Sequence, residues 1–342
     1  MPPVRVWHGV ADVDDDLGPS VVTIGNFDGV HVGHRHVVSA SHQLAAELGG
    51  LPVVAVTFDP HPLSVLVPDR APRQLVSLDR RLDLLAEAGA DAVLVVPFTL
   101  DFGRIPAEEF VEDLVLSRLH AAAVVVGENF RFGHRAAGNV DLLRALCEPR
   151  GIRVVGLPLD GAAGDPEEGS QPQAWSSSYV RERIAGGDVA AAAEALGRPF
   201  SVRGVVVQGA QRGRELGYPT ANVPVASSQT AVPPDGVYAG WLRRLDNPAA
   251  VWWPAAISVG TNPTFDDTDR RVESYVLDRT DLELYGVEVE AAFVERLRGQ
   301  VKFDSVDALV DQMAADVDAV RTILAAAAPP AADHPASAPD GR

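Results

Sequence analysis

Gly25-Asn26-Phe27-Asp28-Gly29-Val30-His31-Val32-Gly33-His34 joins an apolar run at 21–25 to an amphipathic stretch at 35–48. Three glycines and several polar side chains at a strand-to-helix junction make a backbone that a phosphate can approach closely. Further apolar runs follow at 53–58, 92–96, 123–127 and 152–157. Each is continuous rather than alternating, the pattern of strands buried on both faces. Between them lie helical patterns over 35–48, 78–88, 107–120 and 140–148, with Ser77 and Asn139 as N-caps. Gly49-Gly50 and Gly89 are the matching stops. Strands alternating with helices predict a parallel α/β sheet.

Over 161–173 (GAAGDPEEGSQPQ) the periodicity disappears and a mobile loop is expected. An alanine-rich helical bridge at 180–196 leads to Pro199, where the pattern changes. Strands at 200–208, 237–245, 252–260, 272–278 and 287–297 are separated by turns without helical crossovers. That reads as an antiparallel barrel or sandwich. Ser305 caps a last helix to about 326, with Val306, Leu309, Val310, Met313 and Val317 on one face. The expected organisation is a domain at 1–187, a linker at 188–198, a domain at 199–328 and a disordered tail at 329–342.

The 342 residues include 29 basic and 47 acidic ones, a net charge of −18. Nucleic-acid binding needs a basic face, and this balance argues against one. No apolar run is long enough to span a membrane, and the N-terminus lacks a basic segment ahead of an apolar one. A soluble, cytoplasmic protein is expected, with no membrane and no nucleic-acid partner; a weak homo-oligomer stays open. The single cysteine, Cys147, forbids an internal disulfide and reads as inert packing beside Leu143 and Leu146. Trp252-Trp253 reads equally as barrel core or as an exposed patch. The only lysine is Lys302, so a phosphate clamp must use arginine, histidine or backbone N–H groups.

His31 and His34 lie three apart, on one side of the first turn of the predicted helix. With the unpaired N–H groups and dipole of a helix N-terminus, two imidazoles there can hold a triphosphate. Thr57-Phe58-Asp59-Pro60-His61-Pro62 ends the second predicted strand, where open α/β sheets place ligands. Gly127-Glu128-Asn129-Phe130-Arg131-Phe132-Gly133 ends the fourth, and Ser176-Ser177-Ser178-Tyr179-Val180-Arg181 follows the loop. Hydroxyls opening a helix, with an arginine on its first turn, suit an anion. Ser176 reads equally as a plain N-cap, and Phe130 and Phe132 as core. The decapeptide resembles the G-x-F-D-x-x-H-x-G-H element of the nucleotidylyltransferase superfamily. Together the four elements are similar to the flavin-adenylylating module of bacterial riboflavin kinase/FAD synthetases, from about 20 to 187. The resemblance implies a nucleotidylyltransferase-type, Rossmann-like sheet. It implies His31, His34 and Arg181 as catalytic residues, and Gly25, Phe27, Asp28, Gly33, Ser177 and Ser178 at ATP. Phe58, Pro60, His61, Asn129 and Arg131 are the implied flavin contacts.

The second motif is Gly209-Ala210-Gln211-Arg212-Gly213-Arg214-Glu215-Leu216-Gly217-Tyr218-Pro219-Thr220-Ala221-Asn222-Val223. A loop rich in glycine and arginine can wrap phosphates; a hairpin turn with solvated arginines is the alternative. Thr220 and Asn222 are two apart, so in a strand their oxygens face the same way. Such hard oxygens suit magnesium that already holds phosphate. P-T-A-N after R-G-R-x-L-G is similar to the riboflavin kinase domain. Asp235-Gly236-Val237-Tyr238-Ala239-Gly240, Gly260-Thr261-Asn262-Pro263-Thr264-Phe265 and Glu273 ahead of Leu284-Tyr285-Gly286 follow in the family's order. This resemblance implies a riboflavin kinase-like antiparallel β-barrel with a C-terminal helix. It implies Gly209, Arg212, Gly213 and Arg214 at ATP, Thr220 and Asn222 at Mg2+, and Glu273 as catalytic residue. A kinase acting on an alcohol benefits from a carboxylate that accepts the hydroxyl proton; otherwise Glu273 is an exposed strand residue. Ser274-Tyr275 departs from a histidine-containing stretch common in the family, and the 161–173 loop is unusually long and acidic.

Taken together, the two resemblances imply a bifunctional enzyme that makes FMN from riboflavin and FAD from FMN. ATP and Mg2+ are consumed or required, and pyrophosphate is released. A chain with one silent domain and a flavin-binding module without catalysis are the rival readings.

Overall fold

The computed structural model describes residues 4–158, 161–162, 173–209, 213, 216–225, 229–247, 249–264 and 267–331, with backbone alone at 161–162, 173, 262–264 and 267–269. Contacts divide the chain into two units, one ending at Ser177 and the other starting at Ser178.

The first unit is built on six parallel strands: β1 (Arg5–Trp7), β2 (Ser20–Ile24), β3 (Val53–Asp59), β4 (Ala92–Pro97), β5 (Ala121–Gly127) and β6 (Arg153–Leu157). Their order is β1-β4-β3-β2-β5-β6. The five apolar runs are the five inner and outer strands from β2 to β6, and β1 is an added edge pairing with β4. Val21, Val22, Val53, Val54, Val93 and Val124 are completely buried, as strands covered on both faces require. The connecting helices are α1 (Val32–Glu47), α2 (Pro62–Leu66), α3 (Leu78–Ala88), α4 (Ala107–Phe110) and α5 (Val140–Cys147). Ser77 and Asn139 cap α3 and α5 as expected, accepting the N–H groups of Arg80 and Leu142. The single predicted helix over 107–120 is instead α4 followed by a wider π-helical stretch, Val111–Arg118. Cys147 is fully buried in the core, and burial pushes its thiol pKa up, as inert packing requires. From β2 the chain proceeds to one side of the sheet and from β5 to the other. The crevice beyond the carboxyl ends of these two strands is therefore the switch point where such sheets bind ligands. β7 (Gly161–Ala162) and β8 (Gln173–Ala174) pair antiparallel. The remainder of the expected loop, 163–172, lies outside the described residues.

The second unit holds α6 (Ser177–Gly186) from Ser178 onward, then α7 (Val189–Leu196). Six strands follow: β9 (Phe200–Val205), β10 (Thr220–Pro224), β11 (Gly236–Arg244), β12 (Trp253–Thr264), β13 (Asp267–Val276) and β14 (Glu288–Arg298). They pair antiparallel in the order β10-β13-β12-β11-β14-β9, and a bridge from Val207 to Asn222 joins the two ends. The sheet therefore curls into a barrel and not a sandwich. Tyr238, Ile257, Val259, Val272 and Phe293 fill its interior without solvent exposure. At Gly240 a Cβ would lie 2.1 Å from the Ala292 carbonyl oxygen, so only glycine fits where β11 shifts register against β14. On the outer face Ala239, Trp241, Leu277 and Ala292 are covered by α8 (Val306–Ala326) through Val317, Val320 and Leu324. Val306, expected on that face, is 61% exposed, so the buried stripe starts later in the helix. Trp252 packs against the α8 cluster with the Arg243 guanidinium 4.4 Å from its ring.

The expected linker, 188–198, holds α7, whose Val189, Ala192, Ala195 and Leu196 are buried and which packs on β9 and β14. Alanine richness there reflects close helix-to-sheet packing. Val180 and Ile184 of α6 are likewise buried, and the contact boundary falls ahead of both. The expected tail lies outside the described residues from 332 onward.

Candidate active sites

In the first unit the chain leaves β2 through a tight turn and enters α1 with His31 as its N-cap residue. Phe27 and Val30 both take positive φ, 47° and 40°. Left-handed backbone is unfavourable for such residues and persists only where the surroundings impose it, often at ligand sites. The Val30 N–H closes the turn onto the Phe27 carbonyl at 3.1 Å. His31 stacks on His34 with ring centroids 3.7 Å apart, and the Phe27 ring meets His34 edge-on at 5.2 Å. A Cβ at Gly25 would press on the Phe27 ring at 3.3 Å. The pair thus stands at the helix N-terminus with Gly33 between its members. Burial, then the charges of His31 and Arg81, hold His34 well below its ordinary pKa, so it is neutral at neutral pH.

Asp28 is fully buried. Its carboxylate accepts the Leu75 N–H at 2.8 and 3.1 Å. Asp28, an expected ATP contact, thus braces the turn through its side chain. Ser177, another expected ATP contact, donates from Oγ to the Asp28 carbonyl at 2.8 Å and so supports the same turn. Beneath the turn, Thr57 Oγ1 donates to the Asn26 carbonyl at 3.0 Å. Arg81, 1% exposed on α3, donates through Nη1 to Thr57 Oγ1 at 3.3 Å and to the Phe58 carbonyl at 2.9 Å. Neither Thr57 nor Arg81 was among the site residues read from the motifs.

Among the implied flavin contacts, His61 caps α2 and is buried. Its Nδ1 accepts the Leu63 N–H at 3.1 Å, and its Nε2 lies 3.4 Å from the Asn26 side-chain nitrogen. Phe58 is half-buried in an aromatic cluster, 5.9 Å from Phe98 and 6.0 Å from Phe102, and Pro60 is exposed. On the β5 side, Phe130 stacks on Phe132 at 5.4 Å and both belong to the core. Asn129 leaves the end of β5, while Arg131 is exposed and donates to the Phe130 carbonyl at 3.1 Å. Both sets therefore border the switch point.

In the second unit, Ser178 and Arg181 lie on the first turn of α6. On the barrel, Asn222 of β10 stands opposite Glu273 of β13, and Thr220 opposite Tyr275. Directly paired residues share a face, so these four side chains share the outer face. Ala221, Val223, Val272 and Ser274 alternate to the buried one. The Asn222 amide donates to Thr220 Oγ1 at 3.1 Å, which leaves its Oδ1 to face Gly209. A Cβ at Gly209 would come within 2.6 Å of that oxygen. The hydroxyl and the amide lie together, with a glycine cradle beside the amide oxygen, and both oxygens are hard ligands of the kind that suits a magnesium ion bound with phosphate. Gly213 anchors the loop, its carbonyl accepting the N–H groups of Leu216 and Tyr218. Arg212 and Arg214 lie outside the described residues. A cavity of about 400 Å3 is lined by Gly209, Thr220 and Asn222, by Tyr285 of the Leu284-Tyr285-Gly286 motif, and also by Arg279 and Glu283, which the motif reading did not single out. Among the described residues no cluster of three or more His, Cys, Asp or Glu could hold a metal.

A family model described as FAD synthetase matches residues 13–164, and one described as riboflavin kinase matches 196–324. Over 296 residues the chain is 34% identical to a bifunctional riboflavin kinase/FMN adenylyltransferase of Escherichia coli K12, covering 86% of this chain and 90% of the relative. The chain belongs to this bifunctional riboflavin kinase/FMN adenylyltransferase family. It carries an FAD synthetase domain ahead of a riboflavin kinase domain, in the order of the two motifs. A Listeria monocytogenes member of the family is 33% identical over 89% of this chain and 92% of its own length. A solved Streptococcus pneumoniae structure described as a macrolide-efflux protein is similar at a TM-score of 0.79 and 30% identity, covering 93% of this chain and 98% of that one. No described helix of this family member is long and apolar enough to cross a membrane.

Proposed function

We propose that the second unit phosphorylates riboflavin to FMN and that the first adenylylates FMN to FAD. The observation that supports this best is the shared outer face of Thr220, Asn222 and Glu273, set in one unit while the stacked histidine pair occupies the other. In the barrel, Glu273 accepts the proton of the ribityl 5′-hydroxyl as the hydroxyl oxygen attacks the γ-phosphorus of ATP, and the bond to ADP breaks as ADP leaves. Thr220 and Asn222 would hold Mg2+, which supplies charge neutralisation at the phosphates. The loop around Gly209 and Gly213, with Arg212 and Arg214, wraps the nucleotide.

In the first unit a phosphate oxygen of FMN attacks the α-phosphorus of a second ATP. The bond to pyrophosphate breaks as the new P–O bond forms. The nucleophile is already ionised, so no general base and no covalent enzyme intermediate are needed. His31 and His34 act by hydrogen bonding at a crowded anionic transition state, together with the N–H groups of α1. Gly25 and Gly33 keep the approach open. Phe58, Pro60, His61, Asn129 and Arg131 bind the flavin. The substrates and products are riboflavin, FMN, FAD, ATP, ADP and pyrophosphate, in the cytoplasm.

Chromatography of riboflavin incubated with the protein, ATP and magnesium tests this reading, with FMN as a parallel substrate. Riboflavin is expected to pass through FMN to FAD. Accumulation of FMN alone would mean a silent first unit, and no conversion at all would leave a flavin-binding module.

A further inference from the structure

Arg80 and Arg81 are neighbours on α3, yet they are used differently. Arg80 pairs with Glu87 at 2.8 Å along its own helix. Arg81 turns into the sheet, where Nη1 is occupied by Thr57 Oγ1 and the Phe58 carbonyl. Through Thr57 it also steadies the Asn26 carbonyl. One guanidinium therefore ties the end of β3, which leads into Phe58, Pro60 and His61, to the turn that leads into His31 and His34. Its Nε and Nη2 are buried and have no hydrogen-bond partner among the described residues. Leaving such buried donors idle is costly. The carboxylates that act on it electrostatically are Asp28 and Asp59, and Asp28 already holds the Leu75 N–H.

We propose that Arg81 binds the phosphate of FMN, gripping two of its oxygens with Nε and Nη2 while the third attacks ATP. This rests on the adenylyl-transfer reading above. The nucleophilic phosphate must lie between the flavin ring and the α-phosphorus, which is the seam that Arg81 spans. Nε and Nη2 form one edge of the guanidinium, with parallel N–H bonds that match two oxygens of a phosphate. The opposite corner, Nη1, is fixed to the protein, so the fork is aimed before the ligand arrives. Arg81 exchanges no proton, and the bonds made and broken remain those of the adenylyl transfer.

The test is steady-state FAD synthesis by full-length Arg81→Met and Arg81→Lys, with FMN and ATP varied separately. Arg81→Met is expected to raise KM for FMN roughly tenfold or more, since hydrogen bonds to a charged group are lost. KM for ATP and riboflavin phosphorylation are expected to stay near wild type. Arg81→Lys, which keeps the charge but not the fork, is expected to fall between, and it carries the test if the Met variant does not fold. A second readout is riboflavin as competitor of FMN in the Glu273→Gln background. Lacking the phosphate, riboflavin should inhibit the Arg81→Lys variant as well as it inhibits the parent. An equal rise of both KM values, an unchanged KM for FMN, or weakened riboflavin inhibition would overturn the assignment. Absence of FAD synthesis in the wild type would instead sink the underlying reading.

Discussion

His34 and Gly209 show how single positions carry the two sites. The folded unit resists protonating His34, whereas the unfolded chain protonates it below its ordinary value of 6.5. The stability this group contributes is complete above that value and is lost as pH falls toward the folded pKa. Melting of the first unit is therefore expected to drop from about pH 7 to about pH 5.5 more steeply in the wild type than in His34→Gln. Parallel curves would contradict the burial argument. At Gly209 an added methyl group would sit 2.6 Å from Asn222 Oδ1. Gly209→Ala is expected to slow riboflavin phosphorylation by roughly 10–100-fold, the cost of a misplaced contact, and to leave FAD synthesis from FMN intact. Equal loss of both activities would refute it. His31, His34, Thr220 and Asn222 were legible because spacing alone puts each pair on one side of a turn or strand. Arg81 was not. In an amphipathic helix an Arg-Arg doublet reads as a solvated face, and only the fold shows that both are buried and that Arg81 reaches Thr57 and Phe58.

At the scale of elements, the inner strands of the parallel sheet were legible because burial on both faces demands unbroken apolar runs. β1 and β10 were missed for different reasons. β1 is three residues long, with one residue, Trp7, buried. β10 is bounded by Pro219 and Pro224, and its polar Thr220 and Asn222 mask the alternation with Ala221 and Val223. The C-terminal helix was read from its cap, but its buried stripe was placed too early. Val317, Val320 and Leu324 hold it to the barrel, and Arg298 pairs with Asp316 at 2.6 Å. Leu324→Ala is expected to destabilise the second unit by about 2–4 kcal/mol through cavity formation. A urea midpoint unchanged from the wild type would show that the helix is not needed for the barrel.

Across the whole molecule, each unit has its own core and its own cluster of candidate residues, and the two family matches fall one on each. The barrel-or-sandwich ambiguity could not be resolved from sequence, because closure depends on one bridge between Val207 and Asn222, distant in pattern from any apolar run. The central claim is that one chain houses two separable activities, and crossed variants test it most directly. FMN and FAD are quantified by chromatography after incubation of His31→Ala and of Glu273→Gln with ATP, magnesium and either riboflavin or FMN. His31→Ala is expected to convert riboflavin to FMN and stop there, while Glu273→Gln leaves riboflavin untouched and still turns supplied FMN into FAD. Loss of both reactions in each folded variant would contradict two independent sites.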